Sequence, residues 1–160
     1  MRILAIDPGS RESAWTLFES TTMTPLGFSI SANEELVERI RLRREGEIDW
    51  LAIEVVKSYG NVMGDDVLRT VEWIGRFTQA YGDDPLCRLT RKEIVTALCG
   101  HSRAKDKNVR QAVIDFYGGK KSAIGTKKDP GKIYGAKRDI FSALAVAIVF
   151  SEHYSAEFFK

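Results

Sequence analysis

Apolar residues in the first half of the chain fall into short runs separated by turn residues. The stretches 2–7 (RILAID), 13–19 (SAWTLFE) and 24–30 (TPLGFSI) follow one another closely, as the strands of an antiparallel meander do. The stretch 49–56 (DWLAIEVV) is apolar almost throughout, which is typical of a strand buried on both faces of a sheet. With a last strand at 86–90 (LCRLT), the pattern predicts an α/β fold with a five-stranded mixed sheet, three antiparallel strands followed by two parallel ones.

Apolar residues at helical spacing lie between and after these strands and predict helices that flank the sheet. The segment between the last two predicted helices, 120–137, is rich in glycine and lysine and is predicted to be a loop. No linker or internal repeat interrupts the pattern, so we expect one domain over residues 1–160. The predicted helices cover residues 34–47, 66–80, 91–100, 106–119 and 137–154.

Composition excludes several classes of protein. No apolar run approaches the roughly 18 residues that span a bilayer, and the N-terminus lacks the layout of a signal peptide. We therefore expect a cytoplasmic protein without a membrane partner. The two cysteines, Cys87 and Cys99, are too few and too far apart for a zinc site or a disulfide framework, and we expect reduced thiols.

Charge is distributed unevenly along the chain, although the net charge is only +2. Residues 1–85 contain 9 basic and 15 acidic side chains, whereas residues 86–138 contain 14 basic and 4 acidic ones. So many like charges repel one another unless an anion lies across them, and nucleic acid is the commonest such anion. The alternative is a solvated basic surface.

Two carboxylates stand at positions where apolar neighbours predict burial, and a third could reach the same site. Asp7 ends the first strand, Glu54 lies inside the apolar run LAIEVV, and Asp139 precedes the apolar last helix. Asp7 has an alternative role as a turn former, and Asp139 as a partner of the helix dipole. Burying like charges together is costly unless a cation lies between them. The combination predicts a shared divalent cation, and hard oxygen ligands favour Mg²⁺ or Mn²⁺.

These acidic segments carry a resemblance to a known family. ILAIDPGS and AIEVV resemble the two acidic strands, and DIFSALAVAI the C-terminal acidic helix, of RuvC-type Holliday-junction resolvases. The further segments AIEVVKSYGNVMG, WIGRF, LCGHSRAKDKNVRQAVID and GTKKDPGKIYGAKRD resemble a bacteriophage-encoded branch of that family, so that the resemblance covers nearly the whole chain.

The resemblance implies an RNase H-like fold and a homodimer that cuts branched DNA, such as four-way junctions, Y structures and flaps. It also implies Asp7, Glu54 and Asp139 as ligands of Mg²⁺ or Mn²⁺, two ions per active site. A phage-encoded enzyme of this kind would act in the host cytoplasm, in DNA recombination or in debranching before packaging.

The sequence departs from the family pattern at three positions. Ser142 replaces a second aspartate of the last helix, Lys57 replaces an aromatic residue that enters the junction, and Val95 replaces a basic residue. The catalytic lysine must then come from elsewhere. The candidates for it are Lys105, Lys107 and Lys137.

Further residues are predicted to contact DNA or a second copy of the chain. Tyr59 lies close to Lys57 and is predicted to stack on bases exposed at a branch point; its alternative is a ring packed under the loop. The homodimer is expected to use helix 66–80, through Val71, Trp73, Ile74 and Phe77. The predicted contacts to the DNA backbone are Arg103, Lys105, Lys127, Lys128 and Lys132.

Two hypotheses from other classes of protein stay open. One is a branched-DNA-binding protein without catalysis, which the loss of a carboxylate at Ser142 supports. The other is an actin-like or sugar-kinase-type ATP-binding domain, because a strand followed by an aspartate and a glycine turn also begins those folds. A single predicted lobe argues against this second alternative.

Overall fold

Five strands form one mixed sheet in the computed structural model, which describes residues 1–44, 46–60 and 62–154. The order across the sheet is β3-β2-β1-β4-β5. The pairs β1–β2 and β2–β3 are antiparallel, and β1–β4 and β4–β5 are parallel, which confirms the predicted mixed sheet. The strands are β1 (Arg2–Asp7), β2 (Glu12–Glu19), β3 (Thr24–Ala32), β4 (Trp50–Val55) and β5 (Leu86–Thr90).

Helices cover both faces of the sheet. Because side chains alternate along a strand, β1 sends Leu4 and Ile6 into one core and Ile3 and Ala5 into another. The first core is shared with α1 (Asn33–Arg41) and α2 (Asp65–Tyr81). The second core is shared with α3 (Arg91–Cys99), α4 (Asp106–Phe116) and α6 (Ile140–Val149).

Helix α6 is buried from Ile140 to Val149 except at Ser142, because it packs across β1 and β2. Its uniform apolar character is therefore that of a core helix. The chain continues into a π-helix, Phe150–Tyr154, so the predicted helix 137–154 has two parts and begins later. No helix within the described ranges is long and apolar enough to cross a membrane.

The predicted helix 34–47 ends early, at Arg41. Arg43 has a positive φ of 49°, and its guanidinium donates to the Tyr81 carbonyl oxygen at 3.1 Å and pairs with Asp84. These contacts with the end of α2 hold the chain away from the helical path. Residue 45, within the predicted helix, lies outside the described residues.

The glycine- and lysine-rich segment 120–137 is more ordered than a simple loop. It contains the short helix α5 (Lys120–Ala123) and a bridge between Gly125 and Pro130. A Cβ on Gly131 would lie 2.4 Å from the Ala123 carbonyl oxygen, so only glycine permits this close approach of the backbone. The segment therefore presents its lysines from a fixed backbone.

Helix α2 differs from the prediction in which residues it exposes. Trp73, Ile74 and Phe77, which we expected at a dimer interface, are buried in the core between α1, α2 and the sheet. Their apolar character is explained within one chain. The apolar side chains that α2 leaves exposed are Val67, Leu68 and Val71, at 36%, 54% and 43%.

Candidate active site

The parallel pairing of β1 and β4 places two carboxylates at one edge of the sheet. Ile6 pairs with Ile53, so Asp7 and Glu54 each follow at the carboxyl end of their strand. Clefts at the carboxyl ends of parallel strands are the usual place for ligands in α/β folds. Asp139 comes directly before α6, which packs on β1, and so reaches the same edge.

The three carboxylates share one electrostatic field. Burial raises the pKa of Asp7 to about 8, and the charges of Glu54 and Asp139 add to the rise. Burial also raises the pKa of Glu54, while the guanidinium of Arg91 opposes that rise. Arg91 therefore offsets only part of the rise that burial causes in the pKa values of Asp7 and Glu54.

A divalent cation fits this donor set. The Oε2 atom of Glu54 is buried and has no hydrogen-bond partner, and carboxylate oxygens are the ligands that Mg²⁺ and Mn²⁺ prefer. In the observed side-chain arrangement, however, no three His, Cys, Asp or Glu residues of the described chain are placed to hold one ion together. Glu54 faces Arg91 instead.

Arg91 is the site residue that the sequence analysis missed. Its Nη1 atom lies 3.7 Å from Oε2 of Glu54, and its Nη2 atom contacts Oδ1 of Asp106, the first residue of α4. A sequence signal for it exists, because TRKE at 90–93 is a capping box that starts a helix directly after β5. The box forms: the Thr90 N–H donates to Oε2 of Glu93 at 2.7 Å, and the Glu93 N–H donates to Oγ1 of Thr90 at 3.3 Å.

A cleft of about 250 Å³ opens beside the carboxylates. The ring of Tyr59 is 62% exposed, so it does not pack under its loop, which was the alternative to a DNA contact. The cleft therefore offers an aromatic face and positive charge next to the acidic cluster. The charged and aromatic side chains that line it are Asp7, Glu54, Lys57, Tyr59, Arg91 and Lys92.

The three candidates for a catalytic lysine do not line this cleft in the described part of the chain. Lys105 and Lys107 are exposed at the start of α4, on either side of Asp106. Lys137 lines a separate cavity with Glu12 and Arg138.

The residues predicted to grip the DNA backbone are exposed. Arg103 lies in the turn between α3 and α4, and Lys127 and Lys128 lie at the tip formed by the Gly125–Pro130 bridge. The ammonium of Lys132 lies 5.8 Å from the ring centre of Tyr117. These side chains are free to meet an extended anion.

The structure shows the surroundings of two of the three residues that depart from the family pattern, Ser142 and Val95. The hydroxyl of Ser142, one helical turn after Asp139, donates a hydrogen bond to Asp7 and lowers the pKa of that carboxyl. A neutral donor thus stands where a further aspartate is expected. Val95 is 1% exposed in the core and contributes only packing.

The strand order and the two helical layers define the RNase H-like fold of RuvC-type proteins. RuvC of Thermus thermophilus is 18% identical to this chain with a TM-score of 0.67, over 94% of this chain and 93% of that one. T. thermophilus RuvC in complex with Holliday junction substrate gives 17% identity and a TM-score of 0.68 over the same shares. No family model and no curated protein matches the sequence. At such identities the likeness shows the fold alone.

Ser142→Asp tests whether the carboxylates share one field. A fourth carboxylate in the cluster should lower the free energy of unfolding by about 0.5–3 kcal/mol in EDTA, because it adds a charge without a partner. Mn²⁺ should then raise the melting temperature of this variant more than that of wild type. Thermal unfolding in EDTA and in Mn²⁺ measures both effects, with Ser142→Ala as the control without added charge. Equal stability of Ser142→Asp and Ser142→Ala in EDTA would contradict the shared field.

Proposed function

We propose that this protein is a metal-dependent, structure-selective endodeoxyribonuclease that hydrolyses phosphodiester bonds in Holliday junctions and other branched DNA. The observation that carries the proposal is the position of Asp7, Glu54 and Asp139 at one edge of a RuvC-like sheet, beside an open cleft with cationic walls. Asp7 and Glu54 are largely removed from water, which is unfavourable for carboxylates without a cation, whereas phosphodiester hydrolysis by metal ions needs such ligands.

Asp7, Glu54 and Asp139 would hold Mg²⁺ or Mn²⁺, two ions in the proposed site. When bound, these ions activate water and stabilise the attacking and leaving oxygens of an in-line displacement. The protein fold holds these three carboxylates in position. Asp7 is fixed by β1 and by the hydrogen bond from Ser142, Glu54 by β4, and Asp139 by the buried helix that follows it.

The proposed DNA path runs from the cleft over the turn between α3 and α4 and over segment 120–137. Lys57 and Lys92 at the cleft, with the exposed lysines of segment 120–137, would bind the phosphate backbone without regard to sequence. The exposed ring of Tyr59 would replace a lost stacking neighbour at the branch point, which a continuous duplex does not provide. Selectivity for branched DNA follows from this difference.

A homodimer is part of the proposal, because two symmetric cuts in a four-way junction need two active sites. Its interface is the exposed apolar surface of α2, formed by Val67, Leu68 and Val71. The biological role that fits is recombination or debranching of phage DNA in the host cytoplasm.

A branched-DNA-binding protein without catalysis is the second candidate function. The observation that favours it is Ser142, which leaves the cluster with a hydroxyl in place of a carboxylate. A cleavage assay on four-way, Y-shaped and flap DNA, with and without Mn²⁺, separates the two candidates.

Asp7→Asn should reduce the rate of cleavage of a four-way junction by about 100-fold or more, while the affinity for the junction is retained. The substitution removes a ligand charge but keeps the shape of the side chain. Cleavage in Mn²⁺ and binding by gel shift measure the two effects. Asp83→Asn, at an exposed position distant in sequence from the cluster, is the matched control. Nicking by Asp7→Asn at the rate of Asp83→Asn would exclude the assigned site.

Tyr59→Ala should weaken binding to a four-way junction by roughly 1–3 kcal/mol, the value of one base stacked on an aromatic ring. Affinity for a linear duplex of the same sequence should change little, since continuous stacking leaves the ring no base. Both affinities are measured at one fixed salt concentration. Tyr59→Phe, which keeps the ring, should behave as wild type. An equal loss on both DNAs would assign Tyr59 to the structure of the loop.

Val71→Asp should convert the protein from a dimer to a monomer, because it places a charge in the exposed apolar surface of α2. Light scattering at micromolar concentration gives the mass. Leu26→Asp is the matched control, since Leu26 is 52% exposed on β3, outside that surface. A monomeric wild-type protein would refute the dimer.

A further inference from the structure

The cleft is lined by a cationic side chain, Arg91, that the resemblance to the resolvase family did not predict. Val95, at the position of a basic residue in related proteins, is buried in the core. The three candidate lysines lie away from the cleft lining in the described residues. Arg91 lines the cleft and touches a carboxylate of the cluster.

We propose that Arg91 neutralises the charge that develops on the scissile phosphate, and that Asp106 is the positioning residue that aims its guanidinium. The inference rests on the proposed nuclease function and assigns the missing cation of that reaction. It also gives Asp106 a role, as the acidic first residue of α4 between Lys105 and Lys107.

The backbone of Arg91 is held by rigid elements. Glu54 pairs with Leu89 across the parallel strands β4 and β5, so Arg91 follows two residues later, beside the end of β4. The capping box of Thr90 and Glu93 fixes the start of α3 at that point. A side chain that starts from the junction of a paired strand and a capped helix is placed more precisely than one on a loop.

The guanidinium lies between the acidic cluster and solvent. One side, through Nη1, faces Glu54 at 3.7 Å, and the other, through Nη2, contacts Asp106. The Arg91 side chain is 34% exposed and the Asp106 side chain 93% exposed. A phosphate oxygen entering the cleft can therefore reach the guanidinium without moving the core.

The geometry uses a property that lysine lacks. Arginine presents five N–H donors in a planar fork, so that separate nitrogens can face Glu54, Asp106 and an incoming phosphate oxygen. The charge of Arg91 acts on Asp7 as well as on Glu54, so it stands within the field of the proposed reaction centre. Fixed positive charge at such a place stabilises the transition state more than the ground state.

The test compares Arg91→Ala with Arg88→Ala. Arg88 lies on the same strand-to-helix segment three residues earlier, is exposed, and loses the same charge on substitution. Single-turnover cleavage of a pre-bound four-way junction in Mn²⁺ should fall by about 10²- to 10³-fold in Arg91→Ala. Arg88→Ala should cut within about 2-fold of wild type, as expected for a surface charge away from the site.

Two binding measurements distinguish a role of Arg91 in the reaction from a role in holding the carboxylates that would bind metal. Junction affinity of Arg91→Ala should stay within about 3-fold of wild type, because the contact is made in the transition state. Calorimetric titration with Mn²⁺ in the absence of DNA should show affinity equal to or tighter than wild type, because a competing cation beside Glu54 is gone. Loss of Mn²⁺ binding would overturn the proposal, and so would cleavage as fast as that of Arg88→Ala.

Two milder variants keep the test decisive if Arg91→Ala does not fold. Arg91→Lys retains the charge but not the fork, and should cut at least about 10-fold more slowly than wild type. Asp106→Asn retains Arg91 but weakens its orientation, and should also reduce the cleavage rate with junction affinity unchanged. Wild-type rates in both variants would overturn the proposal. Absence of cleavage by wild-type protein is a different outcome, since it would reject the proposed function itself.

Discussion

Mutual repulsion of carboxylates at the end of the central strand is the constraint on which the structure depends. Asp7 ends β1, the middle strand of the sheet, and its pKa of about 8 reflects burial and the charges of Glu54 and Asp139. At neutral pH the proton on Asp7 removes one charge from the cluster. A divalent cation would displace that proton and serve the same electrostatic purpose. The fold tolerates the cluster because two separate cores stabilise the sheet on which it stands.

Acidic and basic parts of the protein are held in different ways. The acidic cluster stands on β1, β4 and the start of α6, so packing of the core holds Asp7 and Glu54, while Asp139 is exposed before α6. The basic side chains lie on exposed turns and on segment 120–137, whose backbone is closed by the Gly125–Pro130 bridge. An acidic cluster with an exposed cationic rim would suit the branched DNA proposed as substrate.

The sequence predicted the sheet and the acidic cluster because both leave local signals. Glu54 inside an apolar strand is unusual wherever the strand lies, and Asp7 follows a run that only a central strand explains. The features that were missed depend on tertiary contacts. The β4–β5 register places Arg91 beside the end of β4, and the sequence does not show that register. Helix α1 ends early because Arg43 contacts Tyr81 and Asp84, which are distant in sequence. Likewise, helical spacing shows that Trp73, Ile74 and Phe77 share a buried side, but not whether the same chain or a second copy covers them.

Ser142 and Arg91 alter the charge of the site in the same direction. Ser142 replaces a negative charge with a neutral donor to Asp7, and Arg91 adds a fixed positive charge beside Glu54. A cluster of carboxylates would repel the phosphodiester of the proposed substrate, and this repulsion is strong where burial limits screening by salt. Both residues weaken that repulsion, and both also weaken the attraction for a divalent cation. The guanidinium of Arg91 contacts both Glu54 and Asp106, so its charge is shared between the acidic cluster and the start of α4.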